Sequence, residues 1–223
     1  MSGGVALIQG ASRGLGLQFC KFLVQSSKCS QVIATCREPQ SADALQELKQ
    51  LHPDLLTIER LDVSSQLAVQ QCAQQVALTF DSLDLLINCS AMLHPSGKGE
   101  TSLREVSAEG LSLALSTNTI GPLLMAKHFV PLLLKGTGTF GAQSTDKSKQ
   151  HSAILINMSA KVGSITDNGT VDTDLSRPYH KNVPKEKLFS QELSVNYLMK
   201  IIDGLSIEQT GKFFSWNGGE IPW

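Results

Sequence analysis

Long apolar runs and a strong charge bias are both absent from this 223-residue sequence. No apolar stretch approaches the ~20 residues that a membrane-spanning helix needs, so we predict no membrane association. The net charge of −1 gives no basis for binding nucleic acid or an acidic membrane surface. The first predicted strand begins at about residue 5, which leaves no room for a secretory leader. We therefore expect a cytoplasmic protein.

Cysteine and histidine are sparse and scattered. The five cysteines are an odd number without a Cys-x-x-Cys pair, and the five histidines are also spread along the chain. This pattern is typical of reduced, mostly buried thiols and predicts neither a disulfide framework nor a metal site. With 41% hydrophobic and 17% charged residues, the chain is long enough for one globular domain with a sizeable core.

Short apolar runs alternate with segments of helical periodicity along the chain. Strands are predicted over residues 5–9, 31–36, 55–61, 83–88, 153–158 and 212–216. Helices are predicted over 14–27, 42–51, 64–80, 102–134 with a boundary or kink at Gly121-Pro122, and 185–204; residues 136–152 form a predicted solvated loop. The alternation predicts an α/β fold with a doubly wound parallel sheet of the Rossmann type, which would bind its ligand at the carboxyl edge.

A glycine-rich turn follows the first predicted strand. The segment Gln9-Gly10-Ala11-Ser12-Arg13-Gly14-Leu15-Gly16 has the spacing G-x-x-x-G-x-G and leads into a predicted helix. Glycine lets the backbone lie close to a phosphate, and the free N–H groups of a helix start attract an anion. The turn therefore predicts a dinucleotide site, although for this segment alone an ordinary strand-to-helix turn is the alternative.

Polar residues follow the other predicted strands. Arg37 comes after the second strand, where an arginine suits the 2′-phosphate of NADP and an acidic residue would suit NAD. Arg13 would supply a second positive charge, and two ordinary surface arginines are the alternative. Asp62 would accept a hydrogen bond from the adenine amino group or would cap the next helix. Ser159 after the fifth strand would bind a substrate carbonyl oxygen.

Six segments in order resemble a known family. They are Q-G-A-S-R-G-L-G (9–16), L-D-V-S (61–64), N-C-S-A (88–91), S-T-N-T-I-G-P (116–122), I-N-M-S-A (156–160) and G-T-V-D-T (169–173). With them the chain resembles the short-chain dehydrogenase/reductase family over nearly its whole length, and its last thirteen residues are similar to the end of the C-factor-like subgroup. The resemblance implies an NADP(H)-linked carbonyl reductase or alcohol dehydrogenase with a small-molecule substrate.

The same resemblance implies roles for individual residues. Ser159 would be the catalytic serine, and Asn118 would be the helix asparagine of the catalytic relay. Thr173 would contact the nicotinamide amide, and Arg37 would select NADP rather than NAD. The implied cofactor-binding residues are Gly10, Ser12, Arg13, Gly14, Leu15, Gly16, Arg37, Asp62, Val63, Asn88, Ser90, Ala91 and Thr173. Two departures are mild: Gln9 stands where the family usually has Thr, and N-C-S-A stands where it usually has N-N-A-G.

The Tyr-x-x-x-Lys pair of that family has no counterpart in the chain. Its spacing puts both side chains on one helix face, where the ammonium lowers the tyrosine pKa so that the phenol can pass a proton. The tyrosine would fall near Val171. Neither of the two tyrosines, Tyr179 and Tyr197, has a lysine four positions later. Tyr197 with Lys200 is a minority interpretation as a substitute pair, beside an ordinary surface pair.

We infer a deletion at 168/169 within a single dinucleotide-binding domain that spans residues 1–223. Gly169 follows the polar pair Asp167-Asn168 instead of a buried strand, so one helix–strand unit is missing. Its loss would expose an apolar face and an unpaired strand edge, and would remove the helix that often forms the family's homo-oligomer interface. We therefore predict impaired catalysis. A non-catalytic nucleotide-binding or regulatory isoform and an unstable splice product are the alternatives.

Overall fold

The computed structural model describes residues 3–97, 99–100, 102–160, 170–185 and 188–222, and its centre is a parallel sheet of five strands. The strands are β1 (Gly4–Gln9), β2 (Cys29–Cys36), β3 (Leu56–Arg60), β4 (Leu85–Asn88) and β5 (Ile154–Asn157). They lie in the order β3-β2-β1-β4-β5, and each strand is parallel to its neighbours. The predicted Rossmann-type α/β fold is confirmed.

The middle strand, β1, divides the sheet into two halves. Its residue Ile8 lies in register between Ala34 of β2 and Ile87 of β4, and all three side chains are fully buried. The chain order reverses at β1, because β2 and β3 lie on one side and β4 and β5 lie on the other. The crevice beyond the carboxyl ends of β1 and β4 is therefore the topological switch point, where open α/β sheets bind ligands.

Helices cover both faces of the sheet. They are α1 (Gly14–Val24), α2 (Asp43–Leu51), α3 (Gln66–Thr79), α4 (Ala108–Leu115), α5 (Gly121–Leu133) and α6 (Gln191–Gly204). Alternate residues of β1 point to opposite faces, so Ile8 packs with α1, α2 and α6, whereas Leu7 packs with α3 and α5. Within the described residues, no helix combines the length and apolar character needed to cross a membrane.

The predicted helix over 102–134 is continuous through Gly121-Pro122 but begins only at Ala108. A π-helical turn, Ser116–Ile120, joins α4 directly to α5. This wider turn accommodates Pro122, which has no N–H to donate. Gly121 is required at the junction because a Cβ there would lie 2.2 Å from Cγ2 of Val63.

The helix predicted from residue 185 starts later than expected. Thr170–Val171 (β6) pairs in parallel with Leu188–Phe189 (β7), and this short strand precedes α6. The Ser190 hydroxyl then accepts a hydrogen bond from the Leu193 N–H and caps the start of α6.

The predicted final strand over 212–216 does not join the central sheet. Phe213–Phe214 (β8) instead pairs antiparallel with Glu220–Ile221 (β9) in a separate two-stranded sheet. The predicted loop over 136–152 also has a core residue, because Phe140 is only 1% exposed. A single aromatic residue gives no periodicity, so the sequence pattern did not indicate its burial.

Strand β5 is less protected than its neighbour β4. All four residues of β4 are buried, whereas Ile154 to Ile156 of β5 are half-buried and Asn157 is exposed. Among the described residues, β5 has a strand partner on one side only. Exposed apolar side chains also lie along α4, the π-helical turn and α5: Leu115 at 54%, Ile120 at 47% and Leu123 at 68% exposure.

Candidate functional site

The glycine turn has a separate geometric reason for each glycine. Gly10 and Gly14 have φ values of 87° and 60°, which side chains other than glycine rarely adopt. Gly16 has no positive φ, but a Cβ there would lie 2.1 Å from the Gly10 carbonyl oxygen. The first two glycines therefore shape the turn, and the third lets α1 pack against it.

Strand β2 holds the glycine turn in place through backbone hydrogen bonds. The Thr35 carbonyl oxygen accepts hydrogen bonds from both the Gly10 and Ala11 N–H groups, at 3.0 and 2.9 Å. At the other end, Arg13 precedes α1 without a side-chain cap, and the first turn of α1 has no acidic residue. The N–H groups of this first turn have no intrahelical acceptor, so they favour an anion.

The ends of β4 and β1 are joined by side chains. Asn88 is buried, and its Nδ2 donates to Asn157 Oδ1 at 2.8 Å, whereas its Oδ1 is buried without a partner among the described residues. Two residues further, Ser90 binds the Gln9 side chain through both its N–H and its hydroxyl. Ala91 is exposed at the edge. Gln9 and Asn157 were not predicted as site residues, because their partners are distant in the sequence.

Positive charge lies beyond β2 and β3. Arg37 is exposed one residue past the end of β2, and its carbonyl oxygen accepts a hydrogen bond from Arg60 Nε at 3.2 Å. Arg60 also forms a 3.6 Å ion pair with Glu38. Both Arg60 and Glu38 are largely exposed, so this ion pair contributes little to stability.

The Asp62 side chain stabilises the loop that follows β3. Its Oδ1 accepts hydrogen bonds from the Ser64 N–H and hydroxyl at 2.9 and 2.6 Å. The alternative in which Asp62 caps the next helix is wrong, because Ser65 is the cap of α3 and accepts from the Ala68 N–H. Val63 is buried against Gly121 and so links this loop to α5.

The two predicted catalytic residues lie at the same edge of the sheet in different settings. Ser159 is exposed, two residues beyond the end of β5, and the preceding Met158 N–H donates to the Asn88 carbonyl oxygen. Asn118 lies in the π-helical turn, where its amide accepts from the Met92 N–H at 2.9 Å and donates to the Met92 carbonyl oxygen at 2.7 Å. Asn118 therefore holds the loop after β4, a contact that the motif did not indicate.

Thr173 lies close to the glycine turn. A Cβ built on Gly14 would contact Thr173 Cγ2 at 3.8 Å. The preceding residue, Asp172, makes two hydrogen bonds through its backbone. Its N–H donates to the Phe189 carbonyl oxygen, and its carbonyl oxygen accepts from Gln191 Nε2. Strand β7 and the start of α6 thus fix the loop after β6 above the start of α1. Residues 161–169, including the predicted junction, lie outside the described residues.

A serine, a histidine and an aspartate also meet in this loop. Ser176 Oγ lies 2.8 Å from His180 Nε2, but its hydroxyl also lies 2.6 Å from the Val171 carbonyl oxygen. His180 Nδ1 is 3.8 Å from Asp172 Oδ1, which is too long for a hydrogen bond. The carbonyl of Val171 competes for the serine proton, so this arrangement stabilises the loop and does not form an activated nucleophile.

The thiol that follows β4 is not a nucleophile at neutral pH. Cys89 follows β4 directly, and burial raises its thiol pKa to about 12. Thiol nucleophilicity requires the thiolate, which is negligible five units below the pKa. The Cys20 pKa is also raised well above its ordinary value, chiefly by burial.

We expect the fold to lose stability at alkaline pH through its buried thiols. Burial raises the Cys72 pKa from 9.0 to about 12, so its stabilising contribution is present below pH 9 and is lost as pH rises toward 12. Between pH 8 and 10 this thiol should lower the free energy of unfolding by roughly 1.4 kcal/mol. Urea unfolding at both pH values measures the change. Cys72→Ala should reduce the pH dependence by that amount, and an unaltered dependence would contradict the assignment.

The pair Tyr197 and Lys200 lies on a different part of the surface from the strand ends. Tyr197 packs edge-on against Trp216, with ring centroids 5.2 Å apart, and Lys200 Nζ lies 5.8 Å from the Tyr197 ring. Both line a shallow cavity of about 290 Å³ between α1 and α6, together with Phe22 and Asp203. Phe22 is eight residues into α1, or roughly 12 Å from Gly14 along the helix. The surface-pair interpretation is therefore favoured.

The sequence matches a known family over most of its length. The family described as short chain dehydrogenase matches residues 4–166. Among curated proteins, the uncharacterized oxidoreductase C663.09c of Schizosaccharomyces pombe is 29% identical over 253 aligned positions, which cover 98% of this chain and 97% of the relative.

Solved structures are similar along the whole chain. The NADPH-bound carbonyl reductase from chicken fatty liver is 25% identical, covers 100% of both chains and has a TM-score of 0.83. The carbonyl reductase Sniffer of Drosophila melanogaster, at 22% identity and a TM-score of 0.77, also covers 100% of both chains and shares the fold.

Proposed function

The chain belongs to the short-chain dehydrogenase family, and we propose that it is an NADP(H)-binding oxidoreductase of the carbonyl reductase or alcohol dehydrogenase type whose own catalysis is impaired. One contrast carries the proposal. The glycine turn is complete and is held by hydrogen bonds to Thr35 of β2 and by those between Gln9 of β1 and Ser90 after β4. By contrast, the 223 residues contain no Tyr-x-x-x-Lys. The binding half is present without the side chains that would transfer the proton.

The residues at the strand ends fit a dinucleotide. The uncapped first turn of α1 favours the pyrophosphate, with Ser12, Arg13 and Leu15 in the turn and Gly10, Gly14 and Gly16 shaping it. Arg37 would pair with the 2′-phosphate of NADP. Asp62 would accept from the adenine amino group, and Val63, Asn88, Ser90, Ala91 and Thr173 would line the remainder. The NADPH bound to the chicken reductase supports this choice over NAD.

Of the two predicted catalytic residues, Ser159 would act on the substrate oxygen and Asn118 would position a loop. Nicotinamide supplies or accepts the hydride when the cofactor is bound. The exposed Ser159 hydroxyl would donate a hydrogen bond to the carbonyl oxygen and polarise it. Asn118 would hold the loop after β4 in place through Met92. Without the tyrosine, the alcohol oxygen must take its proton from water, and loss of a general acid costs ~10²–10⁴ in rate.

Three observations support a single domain truncated internally at 168/169. The alignment with the fission yeast relative has 253 positions and this chain has 223 residues, so at least 30 positions have no residue of this chain opposite them. The family match ends at residue 166, next to the proposed junction. Strand β5 is half-buried where a further strand would pair with it.

Exposed surface favours a second candidate, an unstable product of altered splicing. The half-buried β5 and the exposed Leu115, Ile120 and Leu123 are an aggregation liability. The absent helix would also leave no helix interface for a homo-oligomer of the usual kind. Cooperative thermal unfolding of a monodisperse sample would argue against this candidate. We further propose a cytoplasmic location, which cell fractionation tests.

Cofactor selection tests the binding half directly. We expect fluorescence titration to show saturable NADPH binding that is tighter than NADH binding. Arg37→Ala should weaken NADPH binding by about 10- to 100-fold, the value of one charge-assisted hydrogen bond, and leave NADH binding unchanged. Lys49→Ala is the matched control, because Lys49 lies in the last turn of α2, away from the carboxyl edge. Equal effects of both variants would contradict the role of Arg37.

A further inference from the structure

A buried amide joins the two strands that border the switch-point crevice. Gln9, the last residue of β1, is 2% exposed. Its Oε1 accepts the Ser90 N–H at 3.1 Å, and its Nε2 donates to the Ser90 hydroxyl oxygen. These residues are 81 positions apart in the sequence. A buried amide without partners costs free energy, and here both of its polar groups are satisfied.

The contact also fixes the start of the glycine turn. A Cβ on Gly10 would lie 2.5 Å from Ser90 Oγ and 2.7 Å from Ser90 N, so the turn passes directly against Ser90. A backbone hydrogen bond also joins these two strand ends, because the Gln9 carbonyl oxygen accepts from the Cys89 N–H at 2.9 Å. Gln9 therefore sets the position of Ser90 relative to the turn.

The hydrogen bonds determine how the Ser90 hydroxyl is oriented. A backbone N–H can only donate, so the Gln9 oxygen must face it and the Gln9 NH₂ must face Ser90 Oγ. The hydroxyl oxygen accepts from this NH₂. Its single proton therefore points away from Gln9 and remains to be donated elsewhere.

We propose that Gln9 is a positioning residue of the nucleotide site. It holds Ser90 so that the hydroxyl proton faces the crevice between β1 and β4 and is donated to an oxygen of the bound nucleotide. The proposal rests on the NADP(H)-binding function proposed above. It assigns a donor role to a hydroxyl that the sequence motif placed at the site only by position.

Gln9→Glu tests the orientation with an isosteric side chain. In the ionised form one carboxylate oxygen can still accept the Ser90 N–H and the other can only accept, so above the carboxyl pKa the hydroxyl proton should turn toward the carboxylate and away from the crevice. We expect Gln9→Glu and Ser90→Ala each to weaken NADPH binding about three- to tenfold, the value of one hydrogen bond. The double variant should be no weaker than Ser90→Ala, because both changes remove the same donor.

Fluorescence titration with NADPH and a melting curve for every variant separate the outcomes. Ser148→Ala, an exposed loop serine, is the control and should bind NADPH as the wild type does. Two results with a wild type that binds NADPH would overturn the positioning role alone. One is that the affinity losses of Gln9→Glu and Ser90→Ala add in the double variant. The other is that Gln9→Glu lowers the melting temperature but leaves the NADPH affinity unchanged. Absence of saturable NADPH binding to the folded wild type overturns the proposed function and the positioning role together. Ser90→Ala removes few atoms, so it provides a folded reference if Gln9→Glu is unstable.

Discussion

Insertion of a helix–strand unit between residues 168 and 169 is expected to raise carbonyl turnover at least ~10²–10⁴-fold, the contribution of a general acid. The unit would be built to carry the Tyr-x-x-x-Lys spacing, with the tyrosine near Ser159 and the lysine lowering the tyrosine pKa. Its length would follow the alignment with the fission yeast relative, which exceeds this chain by at least 30 positions, 253 against 223. NADPH oxidation with an aldehyde or ketone measures the rate.

The same insertion with its tyrosine changed to phenylalanine is the matched control. It would add the helix, the strand and a cover over β5, but it would lack the phenolic proton. We expect it to gain stability without gaining turnover. Equal rates for the two insertions would show that the inserted segment acts through folding and not through proton transfer.

Gly16→Ala is expected to weaken NADPH binding. Its Cβ would lie 2.1 Å from the Gly10 carbonyl oxygen and 2.8 Å from the Gly10 carbonyl carbon. Both are backbone atoms, so no rotamer change can relieve the clash, and α1 must move relative to the turn. Overpacking of this kind costs ~1–3 kcal/mol, and the same free energy lost from binding weakens NADPH affinity about 5- to 150-fold.

Gly204→Ala is the matched control for the glycine substitution. Gly204 ends α6, and a Cβ added there would meet no atom within 4 Å. We expect its NADPH affinity to equal that of the wild type. Binding of NADPH by Gly16→Ala within about twofold of the wild type would be a smaller effect than that of a single hydrogen bond. That result would show that the close packing of α1 on the turn does not matter for binding.

The central sheet could be predicted because buried parallel strands are continuous apolar runs. The run Leu83 to Asn88 contains β4, and the glycine turn marked both the end of β1 and the start of α1. The small outer sheets were not predictable. Phe213–Phe214 has strand-like composition, but nothing local distinguishes an antiparallel hairpin from a strand of the central sheet.

The residues that brace the site were harder to predict than those in motifs. Asn118 and Gln9 act through Met92 and Ser90, which lie 26 and 81 positions away in the sequence. Such contacts depend on which strand ends meet in the fold, and no periodicity encodes them. Resemblance alone assigns Thr173 to the nicotinamide end, whereas its closeness to Gly14 depends on the hydrogen bonds of β7 and α6 to the neighbouring Asp172.

NADPH binding and carbonyl turnover can be measured on one preparation of the protein. We propose that the cofactor half is functional and that the proton-transfer half is missing. We predict saturable NADPH binding by fluorescence, together with carbonyl-dependent NADPH oxidation far below the ~1–10³ s⁻¹ typical of enzymes. Oxidation within that range, or a folded chain that does not bind NADPH, would contradict the account.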